Sequence, residues 1–241
     1  MKKIKINKNL FFRYLFEVVV IIFSITTSFY IQDLLNNKDK EEYKNKGLEG
    51  VLIELKKDKQ FFKFGRTYNK QRLSYIDSLF DLSFSFNPLY ISGIWGNSEL
   101  FENKNFFNAL VSTGSLEFIK SKELQSELNN YYNGIYTILN TTIETDNRSF
   151  LRFGDKLTDY KMDSINYGTI GGNLTTHYFD PSDIIKIRKD KKLKSIALDW
   201  SMYMRMQSEL MTEGDKKIET LEKLIEEELN NYHSTEEIFS K

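Results

Sequence analysis

The sequence predicts an all-α protein: an N-terminal transmembrane helix that continues into a helical stem and then a helical bundle domain. Three observations carry this. The stretch from Phe11 to Ile31 is overwhelmingly apolar and as a helix covers roughly 30 Å, the thickness of a bilayer core. Apolar residues then recur every three or four positions through most of the chain, the period of one helix face. Only Pro88 and Pro181 supply the commonest helix breaker in 241 residues, so long uninterrupted helices are expected.

The elements follow in order. Residues 1–10 form a basic, cytoplasmic N-terminus, residues 11–33 the membrane helix, residues 34–86 the stem, and residues 87–241 an extracytoplasmic helical domain with a long loop near 154–180. A cleaved signal peptide is the competing reading of the apolar run, but no Ala-x-Ala site follows it. Five Lys/Arg residues lie in the first thirteen positions, whereas none follows the span until Lys38. That asymmetry keeps the N-terminus in the cytoplasm and places the main domain on the periplasmic side of a bacterial inner membrane. Glu17, Ser24 and Ser28 fall on one face of the span. Small residues four apart let membrane helices approach closely, and a carboxyl in lipid seeks Arg13, a hydroxyl or another helix. This face is the candidate seam for helix packing, with Glu17 at headgroup level as the alternative.

Beyond the span, Leu48, Leu52, Leu55 and Phe62 define an amphipathic helix, and Leu73, Ile76, Leu79 and Phe80 a second stretch of the same period. Asn87-Pro88 marks a turn, and residues 87–103 read as an aromatic loop or short strand pair. Phe106 to Val111 form a short helix ended by Gly114. Ser121 caps a long core helix with Leu124, Leu128, Tyr131, Ile135 and Ile138 on its stripe, ending near Phe153-Gly154. Asp180-Pro181 starts the C-terminal region, one or two helices with an interruption expected at Gly214.

Chemistry-bearing patterns are sparse. Net charge is zero, with 34 acidic and 34 basic residues, so no global field attracts nucleic acid, and none is expected as a partner. Cysteine is absent, which removes disulfides and thiolate chemistry. His177 and His233 have no second His at i+3 or i+4 and read as solvated surface residues, so no metal site is expected. Gly168, Gly171 and Gly172 lack a following Gly-Lys-Ser/Thr and read as turn glycines. The run Glu226 to Glu228 reads as a solvated helix face. No Gly-x-Ser-x-Gly is present; no catalytic residue and no cofactor are assigned. Trp95, Trp200 and Met204 form the possible partner surface, a core role being the alternative.

Three segments carry a resemblance: Phe16-Glu17 through Ser24, Ser28 and Tyr30-Ile31-Gln32; Ala109 through Ile119 followed by Glu123-Leu124 and Tyr131-Tyr132; and Leu224 through Leu229. Together they resemble a family of uncharacterised single-span membrane proteins of Bacteroidetes-type bacteria, catalogued as a domain of unknown function. Phe16 stands where that family has Gly, Leu34 near its usual Trp, and Thr113 inside its Ser-Gly pair. The resemblance implies a membrane anchor plus a helical extracytoplasmic domain, and no reaction. The expected function is a non-enzymatic membrane-anchored interaction or scaffold protein, a homo-oligomer or a subunit of an envelope complex, whose partners are the lipid bilayer and other membrane proteins. A sensor or ion-coupled accessory subunit using Glu17, and an enzyme with its site between Asp155 and Asp180, are the alternatives.

Overall fold

The computed structural model describes the backbone of residues 8–95, 103–166 and 176–239, and the side chains of residues 16–95, 103–166 and 176–231. The basic side chains through Arg13, together with Gly96, Gly168, Gly171, Gly172 and the His233 side chain, lie outside the described residues.

The fold is all-α, built on two long helices. α1 runs Lys8–Phe80, 73 residues without a break, or about 110 Å at the rise of an α-helix. α7 runs Lys191–Phe239 and lies antiparallel to it, so Arg66 pairs with Asp215, Lys59 with Glu222 and Lys44 with Glu228. α5, Tyr136–Leu157, is the third wall. Shorter elements fill in: α2 Pro88–Ile94, α3 Asn105–Ser112, a 3-10 turn Ser115–Phe118, α4 Lys122–Asn129, a π-helical turn Asn130–Ile135, and α6 Pro181–Lys189. β1 Met162–Asn166 and β2 Thr176–Phe179 pair antiparallel, with Ile165 opposite His177.

The buried positions reveal why three helices associate. On α1 they include an unbroken series at 44, 48, 51, 55, 58, 62, 65, 69, 72, 76 and 79, and on α7 one at 197, 200, 204, 207, 211, 214, 218, 221, 225 and 228. Alternating steps of three and four make a seven-residue repeat, the seam of supercoiled helices. A series of the same spacing starts at Ile135, the last residue of the π-helical turn, and continues along α5 at 139, 142, 146, 149 and 153. Two apolar cores lie along this seam. One gathers Leu48, Leu55, Phe62, Leu110, Tyr131 and Ile218, on the side of the apolar N-terminal segment. The other gathers Ile76, Ile91, Phe153, Ile187, Trp200 and Met204 at the far end.

Several terminators act as the sequence predicts. Gly114 adopts φ +70 after α3, the left-handed region open to glycine. The Ser121 hydroxyl accepts from the Leu124 N–H at 3.1 Å, and the Asp180 carboxylate from the Ser182 N–H at 2.9 Å.

Four expectations are corrected. Asn87-Pro88 opens a helix, because the Asn87 side chain accepts from the Leu89 N–H at 2.9 Å and Pro88 occupies the first helical turn; residues 88–94 are therefore neither loop nor strand pair. The helix expected to end at Phe153-Gly154 continues to Leu157; Gly154 lies within it and makes room for the Trp95 indole, which an added Cβ would approach to 2.9 Å. The region expected as a loop contains the β1–β2 hairpin, whose Phe179 is buried in the far core. Gly214 does not interrupt α7: it lets the buried Phe62 ring approach, and a Cβ there would meet Cε2 at 2.5 Å.

Candidate functional site

The segment from Phe16 to Leu35 is the feature that the fold leaves unsatisfied. Phe16, Ile22, Phe23, Phe29, Tyr30 and Leu35 are all more than half exposed, although α1 is rigidly continuous with the buried seam that begins at Lys44. Large apolar side chains clustered this way are foreign to a water-facing surface. This is the one helix among the described residues long and apolar enough to cross a membrane by length and composition. Ser24 and Ser28 donate their hydroxyls to the carbonyls of Val20 and Ser24, each at 2.8 Å, which satisfies them without water. With Ile25, Phe29 and Gln32 they line a shallow groove of about 330 Å³. Glu17 lies two turns earlier on the same face and is exposed.

The three residues expected as a partner surface do not form one. Trp200 and Met204 are fully buried in the far core; the flanking Met202 and Met206, which alternate with them, are exposed instead. Trp95 is half-buried and packs against Phe150 and His177, with ring centroids 6.2 and 4.5 Å away. The structure brings none of them together on an open face.

What it does assemble is a polar layer between the two cores. The Arg72 guanidinium donates twice to Asp146, both bonds 3.1 Å, and both side chains are 0% exposed. The Trp200 indole N–H donates to the same carboxylate. Asn69 donates to Gln207 Oε1 at 3.0 Å, and Gln207 donates to the Thr142 carbonyl at 3.2 Å. The guanidinium also stacks over the Trp200 ring, 4.6 Å from its centroid. α1, α5 and α7 each contribute, so the layer fixes their mutual register.

A second polar constellation sits within the core nearer the apolar segment. Glu54 and Asp58, one turn apart on α1, are both buried. Tyr131 donates to Asp58 at 2.8 Å and Tyr132 to Glu54 at 3.1 Å, both from the π-helical turn. Glu54 also accepts from the Phe106 N–H at 2.8 Å. Burial pushes the Asp58 carboxyl up to about 7, helped by the neighbouring Glu54 charge and opposed by the Tyr131 and Asn103 hydrogen bonds. Burial also raises Glu54, and it raises both tyrosines well above the ordinary phenol range.

Two further expectations need correction. Glu226 and Glu227 are exposed, but Glu228 is buried: it meets Lys44 at 3.3 Å and accepts from the backbone N–H groups of Lys120 and Ser121 at 2.9 and 3.2 Å. His177 is not a solvated histidine. Its backbone N–H donates to Ser92 Oγ at 2.9 Å and its ring packs on Trp95, so burial lowers its pKa. Ser92 and His177 Nδ1 lie 3.4 Å apart, yet the hydroxyl is buried and engaged with the Pro88 carbonyl at 3.3 Å. That geometry pins the hairpin to α2 and leaves no exposed nucleophile. No group of three His, Cys, Asp or Glu side chains converges as metal ligands would among the described residues. Signals for the polar layers existed in the sequence: Lys44, Asp58, Asn69 and Arg72 on α1, and Gln207 and Glu228 on α7, occupy the seven-residue repeat.

Comparison of the chain with protein-family models, with curated proteins and with solved structures finds no match in any of the three.

Proposed function

We propose that the protein is a membrane-anchored, non-enzymatic interaction protein. In this reading the apolar start of α1 crosses a bacterial inner membrane with its N-terminus in the cytoplasm, and the three-helix body projects about 50 Å or more into the periplasm, from the rise of residues 44–80. The carrying observation is the contrast within one helix: apolar and exposed through Leu35, then woven into a buried seam from Lys44 onward. A bilayer is the solvent that makes the first part stable, because the backbone groups of the span are satisfied within the helix. An unbroken helix also transmits the position of the span to the body without a hinge, as a scaffold requires.

Self-association, or docking on another membrane protein, runs through the Glu17, Ser24 and Ser28 face. The hydroxyls are already bonded to their own helix, and the shallow groove they line with Ile25, Phe29 and Gln32 supports close approach of a second helix at this face. Membership of the single-span family that the sequence resembles belongs to the same proposal. Because the chain contains no cysteine, single substitutions to cysteine report helix contacts cleanly. Ser24→Cys and Ser28→Cys are expected to cross-link in membranes or to co-purify with a distinct partner, while Phe23→Cys is not. A detergent-solubilised protein that is strictly monomeric, uncross-linked at every position and without any co-purifying protein would overturn the reading.

A further inference from the structure

The Glu54 and Asp58 pair holds together three elements that the sequence separates widely. Asp58 accepts from Tyr131, and Glu54 from Tyr132 and from the Phe106 N–H at the start of α3. Asn103 closes the set: its side chain donates to the Glu54 carbonyl at 3.2 Å and its N–H to the Tyr136 hydroxyl at 2.7 Å. α3 seats beside this cluster by close approach to Gly47 and Gly50 of α1, where an added Cβ would stand 2.5 Å from Leu110 and 2.2 Å from Phe106.

Among the described residues, the charged and titratable groups around the cluster come from four directions. α1 contributes Glu54 itself and Lys59, which is paired with Glu222 of α7 at 2.8 Å. The π-helical turn and α5 contribute the hydroxyls of Tyr131, Tyr132 and Tyr136. From α7 come apolar Ile218 and Leu221, with Lys217 held by Glu127 of α4 at 2.7 Å. The segment before α3 brings Asn103 and half-buried Lys104. The groups acting on the Asp58 carboxyl are Tyr131, Asn103 and the Glu54 charge. Two ionised carboxylates one turn apart in a buried layer repel, and hydroxyl and amide donors offset this only in part.

We propose that this cluster is a proton-operated latch: a proton held on Asp58 keeps α3 and the π-helical turn seated on α1, and its loss loosens both. The π-helical turn departs from the regular ladder of the helices on either side, and such turns recur at functional sites. The raised pKa of Asp58 puts the transition near neutral pH, where an extracytoplasmic domain meets changes in its surroundings.

Amide hydrogen exchange of the full-length protein in detergent, at pH 5.5 and 8.5 and corrected for intrinsic exchange, tests this. Residues 105–112 and 130–135 should exchange faster at the higher pH, on the order of tenfold, while amides beside Arg72 and Asp146 should not change. Asp58→Asn, an uncharged isostere, should hold both segments slow at both pH values. Infrared spectroscopy of the wild-type protein supplies a second readout independent of that variant: a protonated carboxyl band should vanish between the two pH values. Equal protection at both pH values, a full pH response retained in Asp58→Asn, or the absence of that band at pH 5.5 would overturn the latch.

Discussion

Arg72 and Asp146 face each other edge to edge, two parallel hydrogen bonds of 3.1 Å joining a guanidinium and a carboxylate that are both wholly withdrawn from solvent. Their layer divides the core in two, and its purpose is register. An apolar seam of constant period tolerates sliding by a heptad, whereas a buried bidentate pair has one partner and one position.

Breaking the pair should cost far more than replacing it. Asp146→Ala strands the guanidinium and the Trp200 N–H and is expected to lower unfolding stability by about 3–5 kcal/mol. The double variant Arg72→Met/Asp146→Leu should recover most of that loss, because both desolvated charges are gone. Denaturant titration of the detergent-solubilised protein measures both, and a double variant no more stable than Asp146→Ala would contradict the assignment.

Gly214→Ala offers a clean test of close packing. Helix propensity alone favours alanine by about 1 kcal/mol. The new Cβ, however, would sit 2.5 Å from the ring of Phe62, a residue that is itself fully buried and has nowhere to retreat. Overpacking costs about 1–3 kcal/mol, so the net effect expected is a destabilisation of up to about 2 kcal/mol. Adding Phe62→Leu should restore stability toward the level of Phe62→Leu alone.

The stability of the half nearer the apolar segment should fall as pH rises through neutrality. Asp58 has a folded pKa of about 7 against 3.8 for the free group, so the unfolded chain releases this proton first. Between those values the fold binds the extra proton and loses stability steadily with increasing pH; above 7 the loss is complete, on the order of 4 kcal/mol at most. Thermal unfolding of Asp58→Asn should show a markedly flatter pH dependence than the wild type.

The far end should respond in the opposite sense. Burial depresses the His177 pKa below 6.5, so the folded state disfavours protonation and its contribution is lost as pH falls through that range. Acid should therefore loosen the β1–β2 hairpin from α2. Ser92→Ala, which removes the acceptor of the His177 N–H, should loosen it at every pH. Proteolysis between residues 160 and 180 reports both effects.

The helical architecture was legible because caps and terminators are local. Ser121, Asp180-Pro181 and Gly114 act through the next two or three residues, and they do so in the structure. Gly214 was misread for the opposite reason: its role depends on Phe62, more than a hundred residues away, which no local rule reaches. The polar layers were missed because Arg72, Asp146, Asp58 and Glu228 carry residue types that ordinarily face water. Counting them as seam positions extends the three-and-four spacing unbroken along both long helices, a signal that hydrophobicity alone hides. Trp200 and Met204 illustrate the converse, since large side chains on a helix stripe belong to the core before they belong to a partner.

Membrane fractionation of the full-length protein, followed by N-terminal sequencing, tests the central claim most directly. The account predicts that the mature chain retains residues 11–33, stays with the lipid after alkaline extraction and leaves it only with detergent. A chain that begins after Ser28, or one released into detergent-free buffer, would contradict it.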